Sequence, residues 1–287
     1  MQSPALFGLH IPKCAGTTIL NRARSFLPYA SFYQCTSHYQ NFRDGRDEFM
    51  KIKDYERLKF IFGHSVHEQM LRFLPQQAII FSGLRDPEDR LKSKVFYEIN
   101  EARKRQKQPP SAEEILRWQD NEICRFIIRR FPTLCGTQGS LSDRAFETLR
   151  KFNFVYFTEN IDAYSALIGE YLGIHKSNKN HNVGEIKEDI DLDLSSIQED
   201  IKLYARAKSE LFCEAPSIGI FKPNEFMKKF CASKPDENAL RKFLLHEVYA
   251  ELSSWGVVAP WIEQNLRCIK ESEMELEFIK QADKQKS

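Results

Sequence analysis

The sequence predicts an α/β fold: a parallel sheet flanked by helices, with a helical C-terminal extension. Three observations lead there. Short apolar runs of strand length recur at Ala5–Ile11, Leu58–Phe62, Ala78–Phe81 and Asn153–Phe157. Segments with apolar residues at helical spacing separate them, which is the alternation that builds parallel sheets. Finally, Lys13, His64 and Arg85 each follow the end of such a run, and ligands gather at the carboxyl ends of parallel strands.

In bulk, 287 residues suffice for one large or two small domains with a sizeable core. Apolar residues make up 42% and charged residues 29%, the balance of an ordinary globular protein. The formal charge of +2 is unevenly placed: residues 1–110 carry 18 Lys/Arg against 11 Asp/Glu, and residues 111–287 carry 24 against 29. That basic excess suits an anionic ligand and falls short of a dedicated nucleic-acid binder. The seven cysteines are odd in number, scattered and without a Cys-x-x-Cys. They indicate neither a zinc site nor a disulfide framework, and point to a reducing compartment. No signal peptide, membrane span, internal repeat or metal-ligating cluster is read.

Taken in order, Ala5–Ile11 is a buried strand stopped by Pro12. Ile19, Leu20, Ala23 and Leu27 mark a helix from Thr17 onward. Between them, Pro12-Lys13-Cys14-Ala15-Gly16-Thr17-Thr18 turns several N–H groups and a helix N-terminus on one spot, a cradle for phosphate or sulfate. Lys13 adds a full charge, and Thr17 and Thr18 can cap the helix and bond an anion's oxygen. Cys14 has no base beside it in sequence and reads as a small residue that admits the backbone to the anion, not as a nucleophile. The cradle is P-loop-like with a difference. A nucleotide triphosphatase loop places its lysine after the last glycine, whereas Lys13 precedes Gly16.

Ser31–Cys35 is the second strand, and Asp47–Arg57 a charged helical segment. Leu58–Phe62 runs into Gly63-His64, and Val66–Leu74 is a helix stopped by Pro75. An imidazole with a pKa near ~6.5 can take a proton at neutral pH, so His64 is a candidate base, with His67 and Glu68 as rivals. His10 packs or touches a sulfate oxygen. Ala78–Phe81 leads to Arg85-Asp86-Pro87, with Pro87 suited to the first position of a helix reaching about Arg105. Arg85 at the strand end can form paired bonds to a phosphate, and Ser93, about two turns on, adds a hydroxyl from the same side. Asp86 and Arg90 hold the loop. The basic stretch Arg103–Lys107 is a solvated face, with an acidic glycan as its alternative partner. Residues 111–131 and 142–152 are helices whose Trp118, Ile123, Phe126, Ile127 and Phe131 form core stripes. After the Asn153–Phe157 strand, Thr158-Glu159-Asn160 opens a helix to about Gly173, and Asp200–Phe212 is a further helix. Residues 1–222 form the α/β unit. Residues 223–287 form two or three amphipathic helices packed on it, with Trp255 and Trp261 in the packing.

Pro-Lys-x-x-Gly-Thr-Thr at residues 12–18 resembles the 5′-phosphosulfate loop of sulfotransferases, which bind 3′-phosphoadenosine 5′-phosphosulfate (PAPS). His10-Ile11-Pro12-Lys13-Cys14-Ala15-Gly16-Thr17-Thr18 is especially similar to the carbohydrate sulfotransferase branch that includes the heparan sulfate 2-O- and 6-O-enzymes. Arg85-Asp86-Pro87, with Ser93 eight residues after the arginine, resembles the family's 3′-phosphate motif and stands in the expected order. In that branch a Gly-His pair between the two motifs supplies the base. The resemblance spans about residues 5–215. It implies a PAPS-dependent O-sulfotransferase that acts on a carbohydrate hydroxyl without a metal. His64 and Lys13 would be catalytic, and Lys13, Cys14, Ala15, Gly16, Thr17, Thr18, Arg85 and Ser93 would hold the cofactor. A late loop containing His181-Asn182 would close the site. Animal Golgi relatives carry an N-terminal anchor that is not read here, which implies either a cytoplasmic, bacterial-type member or a chain trimmed of its anchor. Two rivals stand beside this: a P-loop-type kinase or NTPase, which wants lysine after the glycine and a magnesium aspartate, and a non-catalytic nucleotide- or glycan-binding relative.

Overall fold

The structure is a computed structural model that describes residues 3–28, 31–35, 52–74, 77–117, 119–174 and 192–223, with short stretches between 228 and 243. Trp118, His181-Asn182, Trp255, Trp261 and most of the expected C-terminal extension lie outside the described residues.

Five parallel strands form one sheet: β1 (Ala5–Leu9), β2 (Phe32–Cys35), β3 (Phe60–Gly63), β4 (Ala78–Leu84) and β5 (Phe154–Phe157), in the order β2-β3-β1-β4-β5. β1 is central, and all five of its residues are buried, which is why it reads as a continuous apolar run and not as an alternating one. Leu9 lies opposite Gly63 on β3 and Ser82 on β4. The segments that follow β1 and β3 therefore leave the sheet side by side. From β1 the chain moves outward to β2, and from β4 it moves the opposite way to β5. The gap between the carboxyl ends of β1 and β4 is thus a topological switch point, where open α/β sheets hold ligands.

Helices cover both faces. α1 (Gly16–Phe26) and α7 (Ile161–Tyr171) bury Ile19, Leu20, Ile161 and Ile168 against Leu6, Phe60, Phe62, Phe81 and Phe154. On the other face Phe7, Leu9, Ile61, Ile80 and Val155 meet α5 (Glu122–Arg130), α6 (Leu141–Leu149) and α8 (Gln198–Leu211). Fully buried phenylalanines such as Phe7, Phe60, Phe62 and Phe81 each contribute about 1.5–3 kcal/mol through loss of water contact. The remaining helices are α2 (Glu68–Leu71), α3 (Pro87–Lys104) and α4 (Ala112–Arg117). No helix among the described residues is long and apolar enough to cross a membrane.

Several boundaries differ from the sequence reading. The segment 111–131 is two helices, because Asn121 takes a left-handed conformation (φ 44°) between α4 and α5. The helix expected over Val66–Leu74 shortens to the four residues of α2. Residues Tyr55–Arg57 form only a 3₁₀ turn. β4 runs to Leu84, beyond Phe81, because it pairs with β5 through Gly83 opposite Tyr156.

Candidate active site

The loop between β1 and α1 is shaped from beneath. Arg90 is buried and donates from Nε to the Pro12 carbonyl at 3.2 Å, and the Tyr156 hydroxyl donates to the Cys14 carbonyl at 3.5 Å. The Tyr156 ring reaches the loop only because Gly83 has no side chain; a Cβ there would lie 2.1 Å from the ring. With these two carbonyls drawn into the protein, Lys13 (φ 68°) and Ala15 (φ 58°) are both left-handed. Such alternation turns successive N–H groups toward a common concavity, an anion-binding nest. Helix α1 begins at Gly16, one residue before the sequence reading placed it, and its N-cap is Ala15, which has no side-chain bond to offer. Thr17 and Thr18 are consequently not caps. They lie half-buried in the first turn, with hydroxyls that are not spent on capping. The Cys14 side chain is fully buried in the core, where burial pushes its thiol up to about 11. Its backbone is engaged as well, the N–H donating to the Ile11 carbonyl at 3.3 Å and the carbonyl accepting from Tyr156, so Cys14 shapes the loop without offering a group to a ligand.

His64 follows β3 and is fixed at two atoms. Its Nδ1 lies 2.7 Å from the His10 carbonyl. A carbonyl only accepts, so Nδ1 carries the hydrogen and Nε2 keeps its lone pair. Its own carbonyl accepts from Arg130 Nε at 2.9 Å. The ring stacks on His10, with centroids 4.1 Å apart, and His10 stacks in turn on Phe62. Burial lowers the His64 pKa; the bond to His10 works against this, and the Arg130 and Lys94 charges work with it. His10 is also held neutral, through burial and the positive fields of His64 and Lys13. His10 fills the space beneath the start of α1, since a Cβ on Gly16 would lie 2.2 Å from its ring. The rivals are occupied elsewhere. His67 caps α2 by accepting from the Gln69 N–H, stacks on Phe243, and is lowered to about 3 mainly by burial. Glu68 is fully buried and accepts the Thr133 N–H with both oxygens.

Arg85 leaves the end of β4 half-buried. Asp86 caps α3 by accepting from the Glu88 and Asp89 N–H groups, a holding role like that of Arg90. Ser93 is half-buried in the second turn of α3. Two residues that sequence reasoning missed complete this wall. Lys94 is ion-paired with Glu98. Tyr97 is 45% exposed, and its ring lies 4.4 Å beneath the Lys13 ammonium. Burial lowers the Lys13 pKa, and the Lys94 and Arg85 charges lower it further, so three cations converge on the loop. The signal was available in their spacing, because Tyr97, four residues after Ser93, lies beside it on a helix, and Lys94, three residues before Tyr97, lies beside that ring in turn.

No protein-family model and no curated protein matches this chain. Among solved structures, one that is similar is the crystal structure of mouse sulfotransferase SULT7A1 complexed with PAP. The identity is 16%, with 93% of this chain and 88% of that chain covered, at a TM-score of 0.33. A likeness of that size adds no weight to a functional reading, which rests on this chain's own residues.

Proposed function

We propose that this chain is a PAPS-dependent O-sulfotransferase whose acceptor is a carbohydrate hydroxyl. The observation that carries the reading is the meeting of three groups at the ends of adjacent strands. They are the left-handed Lys13 loop on β1, a histidine with its Nδ1 committed on β3, and Arg85 opening α3 on β4. The loop fits a phosphosulfate, because its inward carbonyls and left-handed residues present N–H groups beside a lysine. PAPS supplies a sulfuryl group already attached to a phosphate leaving group. Lys13, with the N–H groups of Ala15, Gly16 and Thr17 and the hydroxyls of Thr17 and Thr18, would hold that end and stabilise charge growing on the departing oxygen. The Cys14 and Thr18 N–H groups are already given to the Ile11 and Ala15 carbonyls. Arg85 and Ser93 would hold the 3′-phosphate, the group that separates this nucleotide from ATP. His64 Nε2 would accept the proton of the attacking hydroxyl. Residues 1–222 would form this catalytic unit, with 223–287 packed on it.

The test is transfer of labelled sulfate from PAPS to a panel of glycans and small alcohols, together with binding of the product nucleotide, PAP. PAP should raise the melting temperature by mass action, and AMP, which lacks the 3′-phosphate, should bind far more weakly. Equal affinity for the two would remove Arg85 and Ser93 from the reading. Turnover of ATP with magnesium would replace it with a kinase or NTPase.

A further inference from the structure

Outside the catalytic set, Tyr97 is the residue whose surroundings stand out. Among the described residues it is one of three large apolar side chains with substantial exposure. The other two, Phe212 and Ile218, have no catalytic candidate against them. Tyr97 lies one helical turn beyond Ser93 on α3 and carries the Lys13 ammonium on its face at 4.4 Å. A second ammonium, Lys94, stands 5.8 Å from the same ring but is already paired with Glu98. The nearer cation is therefore the one not ion-paired with Glu98, whose charge reaches it only at longer range, and it is also the residue proposed to meet the donor's sulfate. An aromatic face attracts a cation only modestly when exposed, far less than a phosphosulfate would at charge-assisted hydrogen-bond distance.

Resting on the sulfotransferase reading, we infer that the Tyr97 ring and the donor's anion compete for the Lys13 ammonium, and that the ring face Lys13 gives up receives the acceptor. Tyr97 is then a specificity residue on the acceptor side. Its flat apolar face suits the C–H face of a pyranose, and the Lys94–Glu98 pair beside it can exchange hydrogen bonds with ring hydroxyls. Donor and acceptor binding become coupled without any movement of the fold. The donor neither contacts Tyr97 nor needs it, yet donor binding uncovers it. The coupling is reciprocal, and at the strength of one exposed cation–ring contact it amounts to about twofold to fivefold in affinity.

The test uses the full chain with ¹³C-labelled tyrosine rings, the Tyr97 signal being assigned by Tyr97→Phe. Saturating PAP should shift that signal, and Lys13→Met should move it to the shifted position without nucleotide and abolish the further response. Calorimetry run alongside should give PAP bound by Tyr97→Leu as tightly as by the unaltered chain, or up to about fivefold tighter. An unsulfated glucuronate–N-acetylglucosamine hexasaccharide should then perturb Tyr97 in the PAP-loaded protein more readily than in the nucleotide-free one. A Tyr97 signal unmoved by bound PAP overturns the competition, and PAP affinity lost in Tyr97→Leu makes Tyr97 a nucleotide contact instead. A hexasaccharide that never touches Tyr97, or touches it equally with and without PAP, overturns the acceptor role. PAP that does not bind the unaltered chain defeats the sulfotransferase reading itself, which calorimetry separates from the other outcomes.

Discussion

His64 is held at both its ring and its backbone: its Nδ1 donates to the His10 carbonyl, and its own carbonyl accepts from the Arg130 side chain. That arrangement fixes the ring's tautomer without spending Nε2. His64→Ala should lower sulfate transfer by about 10²–10⁴-fold, the usual contribution of a positioned base, while PAP affinity changes little. The rate should also fall as pH drops through the histidine's pKa. Because burial lowers that pKa, the acid limb should lie below the ordinary ~6.5 and should vanish in His64→Ala. His67→Ala and Glu68→Ala are the controls; a matching loss in either, with His64→Ala still active, would transfer the role. Lys13 acts later in the same event. Lys13→Ala should weaken transfer more than ground-state PAP binding, because its charge matters most when the leaving oxygen becomes anionic. Activity within about tenfold of the unaltered chain, or ~1.4 kcal/mol of barrier, would make the loop a binding device alone.

At the scale of elements, the strand ends are what the sequence makes legible. Lys13, His64 and Arg85 each follow an apolar run directly, so a local pattern is enough to find them. The supports are illegible for the opposite reason, since they join residues far apart in the chain. Arg130 reaches His64 across 66 residues, and Tyr156 reaches Cys14 across 142. Arg130 is itself placed by remote partners. Asp200 on α8 accepts the Ile123 and Cys124 N–H groups at the start of α5, and Asn121 returns a bond to the Glu199 N–H. The two helices cap each other, and α5 ends at the arginine that grips His64. Gly16 is the instructive case. Its place in an anion loop is readable from sequence, but the structure also gives it a packing role, leaving room for the His10 ring under α1. Gly16→Ala should therefore destabilise the fold by about 1–3 kcal/mol through overpacking. His10→Ala in the same chain should recover part of that loss in a double-mutant cycle measured by denaturant unfolding. Strict additivity would separate the two residues and leave Gly16 only its loop role.

Across the whole molecule, the site's neutrality is bound up with stability toward acid. His10, His64 and His67 are all buried or half-buried with lowered pKa values, His67 to about 3. In the unfolded chain each would titrate near ~6.5. Between the unfolded and folded values the unfolded chain binds more protons, so stability rises with pH across that window. The histidine contribution is fully present above about pH 6.5 and is lost progressively as pH falls toward the folded value. Glu68, Glu122 and Asp200 oppose this, because burial raises their pKa values and the folded chain protonates them first. The two effects overlap in the unaltered protein, so one group must be isolated. His67 is suitable because it lies outside the proposed chemistry, and Asn in its place keeps an acceptor for the Gln69 N–H while removing the titration. One such group costs about 1.4 kcal/mol per pH unit within its window, or roughly 2–3 °C in melting temperature for a chain of this size. Between pH 6 and pH 4 the unaltered chain should lose melting temperature faster than His67→Asn by about that amount per unit. Two parallel curves would mean that His67 does not titrate on unfolding, and the acid sensitivity would then belong to the stacked pair His10 and His64.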